Sequence, residues 1–161
     1  MSRFRSAART NLTLGLAVLA LEACICTAIG CSDGFEIDFA SKGSWPSATY
    51  EVVITTDGST SSATVVLPFE SCAVGPAYSG THDWTLIQSG CALSPSEHSL
   101  GGITFAPAMP AHVEVVVTMD GQEVAAGSYA PIYQHVQPNG PMCGPTCLVA
   151  PSETLEVSFS D

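Results

Sequence analysis

The feature that most restricts this chain is its two-residue hydrophobic alternation. Phe35, Ile37 and Phe39 alternate with Glu36 and Asp38, and Tyr50, Val52 and Ile54 with Glu51, Val53 and Thr55. The same pattern returns at Val65–Leu67–Phe69, Val113–Val115–Val117 and Leu155–Val157–Phe159. Side chains of a strand point alternately to its two faces, so this spacing builds half-buried strands, and no long segment after residue 31 carries the helical 3.6-residue period. Shorter candidates lie at Trp84–Gln88, Ile103–Ala106 and Ile132–Val136. Asp57-Gly58 and Asp120-Gly121 follow two of the runs, and Asp-Gly supplies the positive φ of a tight hairpin. Gly101-Gly102 and Pro138-Asn139-Gly140-Pro141 read as further breaks. The expectation is all-β: a single antiparallel β-sandwich of about seven to eight strands. Its core is predicted to take Val52, Ile54, Val65, Leu67, Val115, Val117, Val157 and Phe159. Val53, Val66 and Val116 mark central strands, whereas the acids of Phe35–Phe39 suit an edge.

The first thirty residues have another character. Arg3, Arg5 and Arg9 precede the apolar run Leu12–Leu21, the layout of a secretory signal. A retained membrane anchor is the alternative, but Glu22 stands in the middle of the only stretch long enough to span. Thr27-Ala28-Ile29-Gly30-Cys31 resembles a bacterial lipobox, which implies cleavage before Cys31 and lipidation of that cysteine. The expected organisation is therefore a lipoprotein-type signal peptide over 1–30, a lipid-anchored tether over 31–33 and a sandwich over 34–161.

Cysteine number fits this plan. Of Cys24, Cys26, Cys31, Cys72, Cys91, Cys143 and Cys147, cleavage removes two and the lipid takes Cys31. Four remain for two disulfides. Three connectivities are open; the local pairs Cys72–Cys91 and Cys143–Cys147 are favoured because each closes a short loop.

After residue 30, Lys42 is the one basic residue against fourteen acids, a formal charge of −13. A chain that neutralises phosphates needs the reverse, so nucleic acid is excluded as a partner, and so is a polybasic membrane surface module.

Candidate chemistry is sparse. Cys143-Gly-Pro-Thr-Cys147 has one residue too many for a thioredoxin-type site and no helix signal after it, so a structural disulfide is the better reading. His82, His98, His112 and His135, with Met109, Met119 and Met142, lack ligand spacing, and no metal or cofactor is expected. Asp57, Asp120 and Glu123 read as solvated turn acids without a calcium-loop ladder. Thr81-His82-Asp83-Trp84 sets an acid beside a histidine on opposite strand faces. Trp45, Tyr78, Trp84, Tyr129 and Tyr133 could form a carbohydrate platform, but a small sandwich needs aromatics in its core. No nucleophile elbow, zinc-protease helix or phosphate loop is present, so no enzymatic activity is expected.

The segment from Tyr133 through Pro138-Asn139-Gly140-Pro141 to Cys143 and Cys147 resembles one found in small uncharacterised exported lipoproteins of myxobacterial type. The Val113–Tyr133 stretch is similar to immunoglobulin-like and transthyretin-like sandwich modules of bacterial envelopes. The resemblance implies no activity. The expected function is that of an exported, lipid-anchored protein of the cell envelope, at the outer membrane, acting as a non-catalytic binding or structural module. Its membrane contact is the lipid on Cys31, and its partner an envelope protein or glycan. The alternative is an exported thiol oxidoreductase, or another small enzyme, using the Cys143/Cys147 loop.

Overall fold

The computed structural model describes residues 30–71, 73–140 and 143–159. The expected signal segment, Cys72 and Met142 lie outside them. Eleven strands form: β1 (Phe35–Ser41), β2 (Ala48–Thr56), β3 (Ser59–Leu67), β4 (Ala77–Ser79), β5 (Thr85–Ser89), β6 (Ser99–Phe105), β7 (Val113–Met119), β8 (Gln122–Tyr129), β9 (Gln134–Val136), β10 (Cys147–Val149) and β11 (Glu153–Val157). One 3₁₀ turn, Pro95–Glu97, precedes β6. A five-stranded sheet runs β4-β3-β2-β7-β8, a four-stranded sheet β11-β1-β6-β5, and β9 pairs with β10.

The two large sheets share one core. Val52, Ile54, Val65, Leu67, Val115, Val117 and Val157 are all buried in it, and Phe159 packs half-buried against it. Phe35, Ile37, Ile103, Phe105 and Leu155 face them from the four-stranded sheet. Removing these aliphatic and aromatic faces from water drives the packing of sheet on sheet.

Asp-Gly sets the register of the five-stranded sheet. Asp57 (φ 48°) and Gly58 (φ 88°) close a two-residue turn between the paired Thr56 and Ser59. Asp120 (φ 49°) and Gly121 (φ 83°) do the same between Met119 and Gln122. β3 therefore begins directly after the first turn, at Ser59, well before its apolar run at Val65. A bulge in β8 then turns the consecutive residues Val124 and Ala125 inward.

The antiparallel sandwich is borne out, and two finer expectations are corrected in the four-stranded sheet, which also holds one parallel pairing. β1 is interior, flanked by β11 and β6; Glu36 and Asp38 occupy its solvent face, as a sheet covered on one side permits. The β1–β11 pairing is parallel, so the sheet is mixed. Gly101-Gly102 does not end a strand: it lies within β6, where Ile87 pairs Gly102 and Gln88 pairs Leu100, leaving Gly101 as the extra residue of a bulge. Gly102 (φ 152°) also lets β6 approach β1, since a Cβ there would lie 2.3 Å from the Ile37 carbonyl oxygen.

The sheets are fastened along both sides. Ser158 N–H donates to the Val124 carbonyl at 3.0 Å and the Tyr129 hydroxyl to that of Thr154 at 3.3 Å. On the other side Trp84 Nε1–H donates to Ser61 Oγ at 2.8 Å, and the Leu86 N–H to the Tyr78 hydroxyl at 2.9 Å.

Candidate functional site

Two of the cysteine expectations, the Cys143–Cys147 pair and the role of Cys31, change with the fold. Gly34 bridges Val149 in parallel; its N–H donates to the Leu148 carbonyl at 2.9 Å, and Ala150 N–H donates to its carbonyl at 3.1 Å. The Leu148 N–H donates to Asp33 Oδ1 at 2.7 Å. The supposed tether is thus a strap laid along β10, and it brings Cys31 against Cys147. These two form a disulfide, with Cα atoms 6.0 Å apart across a sequence separation of 116. Cys147 does not pair with Cys143: loop entropy favours the local pair, but strand pairing decides which sulfurs meet. A disulfide sulfur has no valence left for a lipid thioether, so the lipid anchor expected at Cys31 is corrected here to a cross-link. Cys91 and Cys143 are also disulfide-bonded.

The histidines lie in four separate settings. His82 stacks on Tyr78, ring centroids 4.1 Å apart and planes 6° from parallel. His135 is exposed on β9. His112 is half exposed on the outer face of the five-stranded sheet, where its Nε2 lies 3.4 Å from Glu114 Oε1 and 3.4 Å from Ser128 Oγ. Serine, histidine and glutamate together invite comparison with a hydrolytic triad. A triad needs the serine and the acid on opposite ring nitrogens, so that the proton taken from one side is balanced from the other. Both contacts here fall on Nε2, and the cluster sits on open sheet surface.

The turn acids have structural partners. Asp57 accepts the His112 N–H at 3.1 Å and the Ala111 N–H at 3.3 Å, clasping the entry to β7. Asp120 accepts the Thr49 N–H at 3.0 Å, clasping the start of β2. Glu123 is exposed. The aromatic residues do not form a platform. Trp45 and Trp84 are buried, and Tyr78, Tyr129 and Tyr133 are half-buried against the core. Tyr50 lies under Trp45 with its hydroxyl on the Pro46 carbonyl at 2.9 Å; burial, then the Asp120 charge, pushes its pKa up to about 12. Tyr129 and Tyr133 are raised for the same reasons, burial first, then Glu153 and Asp57 respectively.

One concavity does gather polar groups. The β1–β6 ladder stops at Asp38–Gly102; past it, Phe39–Ser41 and Ser99–Gly101 part around a cleft of about 610 Å³. Its far walls are the β1–β2 loop, carrying Trp45, and the 3₁₀ turn, carrying Glu97 and leading to His98. Trp45 is 9% exposed and His98 8%. The His98 ring stacks on Phe69 and its Nδ1 accepts the Phe69 N–H at 3.1 Å, which places the ring proton on Nε2. Nothing in local sequence marks this cleft, because its walls are separated by about a third of the chain.

Comparison with known proteins finds no matching family model, no matching curated protein and no matching solved structure.

Proposed function

We propose that the chain is an exported β-sandwich of the cell envelope that works as a non-catalytic binding or structural module. The observation that carries this reading is the Cys31–Cys147 disulfide, which cross-links the first strap to the last hairpin. Such long-range cross-links persist in oxidising compartments and are reduced in the cytosol. The basic flank and apolar run ahead of residue 22 supply an export route. The rival reading, a thiol oxidoreductase, needs Cys143 and Cys147 to exchange with each other, whereas Cys147 is 4% exposed and bonded elsewhere.

The test is expression of the full chain in a Gram-negative host, followed by fractionation and non-reducing peptide mapping. The expected result is recovery from the envelope or periplasm, with a peptide containing Cys31 linked to one containing Cys147. Recovery in the cytosol with free thiols, or reversible opening of a Cys143–Cys147 pair by mild reductant without unfolding, overturns it.

A further inference from the structure

The geometry points to the cleft between the diverging ends of β1 and β6 as a binding site for a neutral, polyhydroxylated ligand, an oligosaccharide in chemical class. This rests on the reading of the domain as a binding module.

Two residues more than nine-tenths buried, Trp45 and His98, line the cleft, and each carries a polar ring hydrogen. Neither Trp45 Nε1–H nor His98 Nε2–H has a partner among the described residues. Neither nitrogen is a sealed orphan, since no fully buried side-chain nitrogen or oxygen lacks a hydrogen bond among those residues. Both nitrogens therefore keep some access to solvent, and both residues line the cleft. A buried tryptophan or histidine ordinarily finds a protein partner for its N–H. The contrast within this chain is direct: the other tryptophan, Trp84, gives its N–H to Ser61.

The remaining walls complement these donors. Glu97 holds Ser94 N–H and Oγ–H through Oε2, which leaves Oε1 as an acceptor. Ser44, Ser89 and Ser99 add hydroxyls that both donate and accept, with no side-chain hydrogen bond of their own among the described residues. The volume falls within the range of ligand sites, roughly 300–1,000 Å³.

Charge selects within polar ligands. No lysine or arginine lines the cleft, its single ionised group is the Glu97 carboxylate, and the surrounding chain is strongly acidic. Phosphates, sulfates and uronates meet repulsion. A dense mixture of fixed N–H donors, one acceptor and several hydroxyls matches the vicinal hydroxyls of a neutral sugar. Trp45 is already stacked with Phe39 and flanked by the tilted ring of Tyr50 and the edge-on ring of Phe159, so recognition runs through hydrogen bonds at the ring edge and not through stacking.

The two indoles supply the test. In ¹H–¹⁵N spectra of the exported protein, titration with maltotriose, cellotriose and the N-acetylglucosamine trimer is expected to move the Trp45 indole resonance saturably for at least one of them. The Trp84 indole should stay fixed. Glu97→Gln and Ser99→Ala should each weaken that response about tenfold, the equivalent of one lost hydrogen bond, with unchanged melting. Glucuronate, inorganic phosphate and an extended Ala/Ser peptide are the controls. No Trp45 response to any neutral saccharide at about 10 mM, or a response only to an anion or to the peptide, overturns the inference. Saccharide-induced shifts confined to another surface overturn the cleft while leaving the binding-module reading in place.

Discussion

The two sheets of this sandwich are assembled by different means. In the five-stranded sheet, β2–β3 and β7–β8 are hairpins closed by Asp-Gly, and each turn aspartate reaches across to hold the neighbouring hairpin. Asp57 grips the entry to β7 while Asp120 grips the start of β2, one at each end of the β2–β7 pair. Register is thus written within a few residues of every turn. The four-stranded sheet has one pairing of near neighbours, β5 with β6. Its other ladders join β1 to β6 and, in parallel, to β11, from far along the chain. What holds that alignment is a strap, a disulfide and a glycine that admits close approach. The difference teaches where a fold can afford an opening: the locally specified sheet is continuous, and the sheet specified at long range is the one that splits.

Breaking the cross-link should expose this difference most strongly. Cys31→Ser with Cys147→Ser is expected to cost about 3–5 kcal/mol, the scale for a disulfide closing a loop of this length. Denaturant melts measure the loss, and hydrogen exchange locates it: amides of β1, β10 and β11 should lose protection before those of β2 and β7. If β2 and β7 open first, the assignment of the weaker sheet is wrong. Gly102→Ala comes next. A Cβ placed 2.3 Å from the Ile37 carbonyl oxygen, on a backbone at φ 152°, must push β6 from β1. The expected cost is about 2–3 kcal/mol, read as a lower denaturant midpoint. Gly121→Ala, where the built Cβ meets nothing within 4 Å, separates backbone strain from the clash.

Asp57→Ala and Asp120→Ala probe the locally specified sheet. Each removes carboxylate hydrogen bonds and a residue suited to positive φ, for about 1–2 kcal/mol. The two losses should add within about 0.5 kcal/mol, because the turns share no partner. Strong non-additivity means that they act as one unit.

The smallest effect at neutral pH is alkaline. Tyr50, Tyr129 and Tyr133 hold their protons more tightly folded than unfolded. The stabilisation from their neutral hydroxyls is fully present below the unfolded value of 10.0 and is lost as pH rises toward the Tyr50 value of about 12. Stability should be flat across neutral pH with respect to these groups and fall above pH 10, and Tyr50→Phe should reduce the fall. Equal alkaline slopes in parent and Tyr50→Phe protein remove Tyr50 as its source.

The same contrast explains what was readable from sequence. Alternation at Val52–Ile54, Val65–Leu67 and Val113–Val117 located core strands, and Asp-Gly located two turns, since both signals are confined to a few consecutive residues. β1 was misplaced at an edge because Glu36 and Asp38 record only that one face is wet, not how many neighbours the strand has. Gly101-Gly102 looked like a break because a bulge and a turn call on glycine alike. The cysteines misled most. Pairing Cys143 with Cys147 treats proximity in sequence as proximity in space, and once Cys31 rejoins the thiol pool, the even count that supported its lipidation becomes five. The candidate cleft is invisible for a further reason: Trp45 and His98 each read as an ordinary core residue, and only N–H groups without a partner among the described residues distinguish them.

The cross-link also determines how the domain meets mechanical tension. A pull between residue 30 and the end of β11 passes through the Cys31–Cys147 bond directly into β10. The stretch from Ser32 to Thr146 becomes a closed loop outside the load path. Force can strip β11 from β1 and lengthen the short run after Cys147, but it cannot extend the five-stranded sheet or open β5 from β6 while that bond is intact. Stretched end to end, the oxidised domain yields the contour of a dozen residues, and the reduced domain yields nearly all of it.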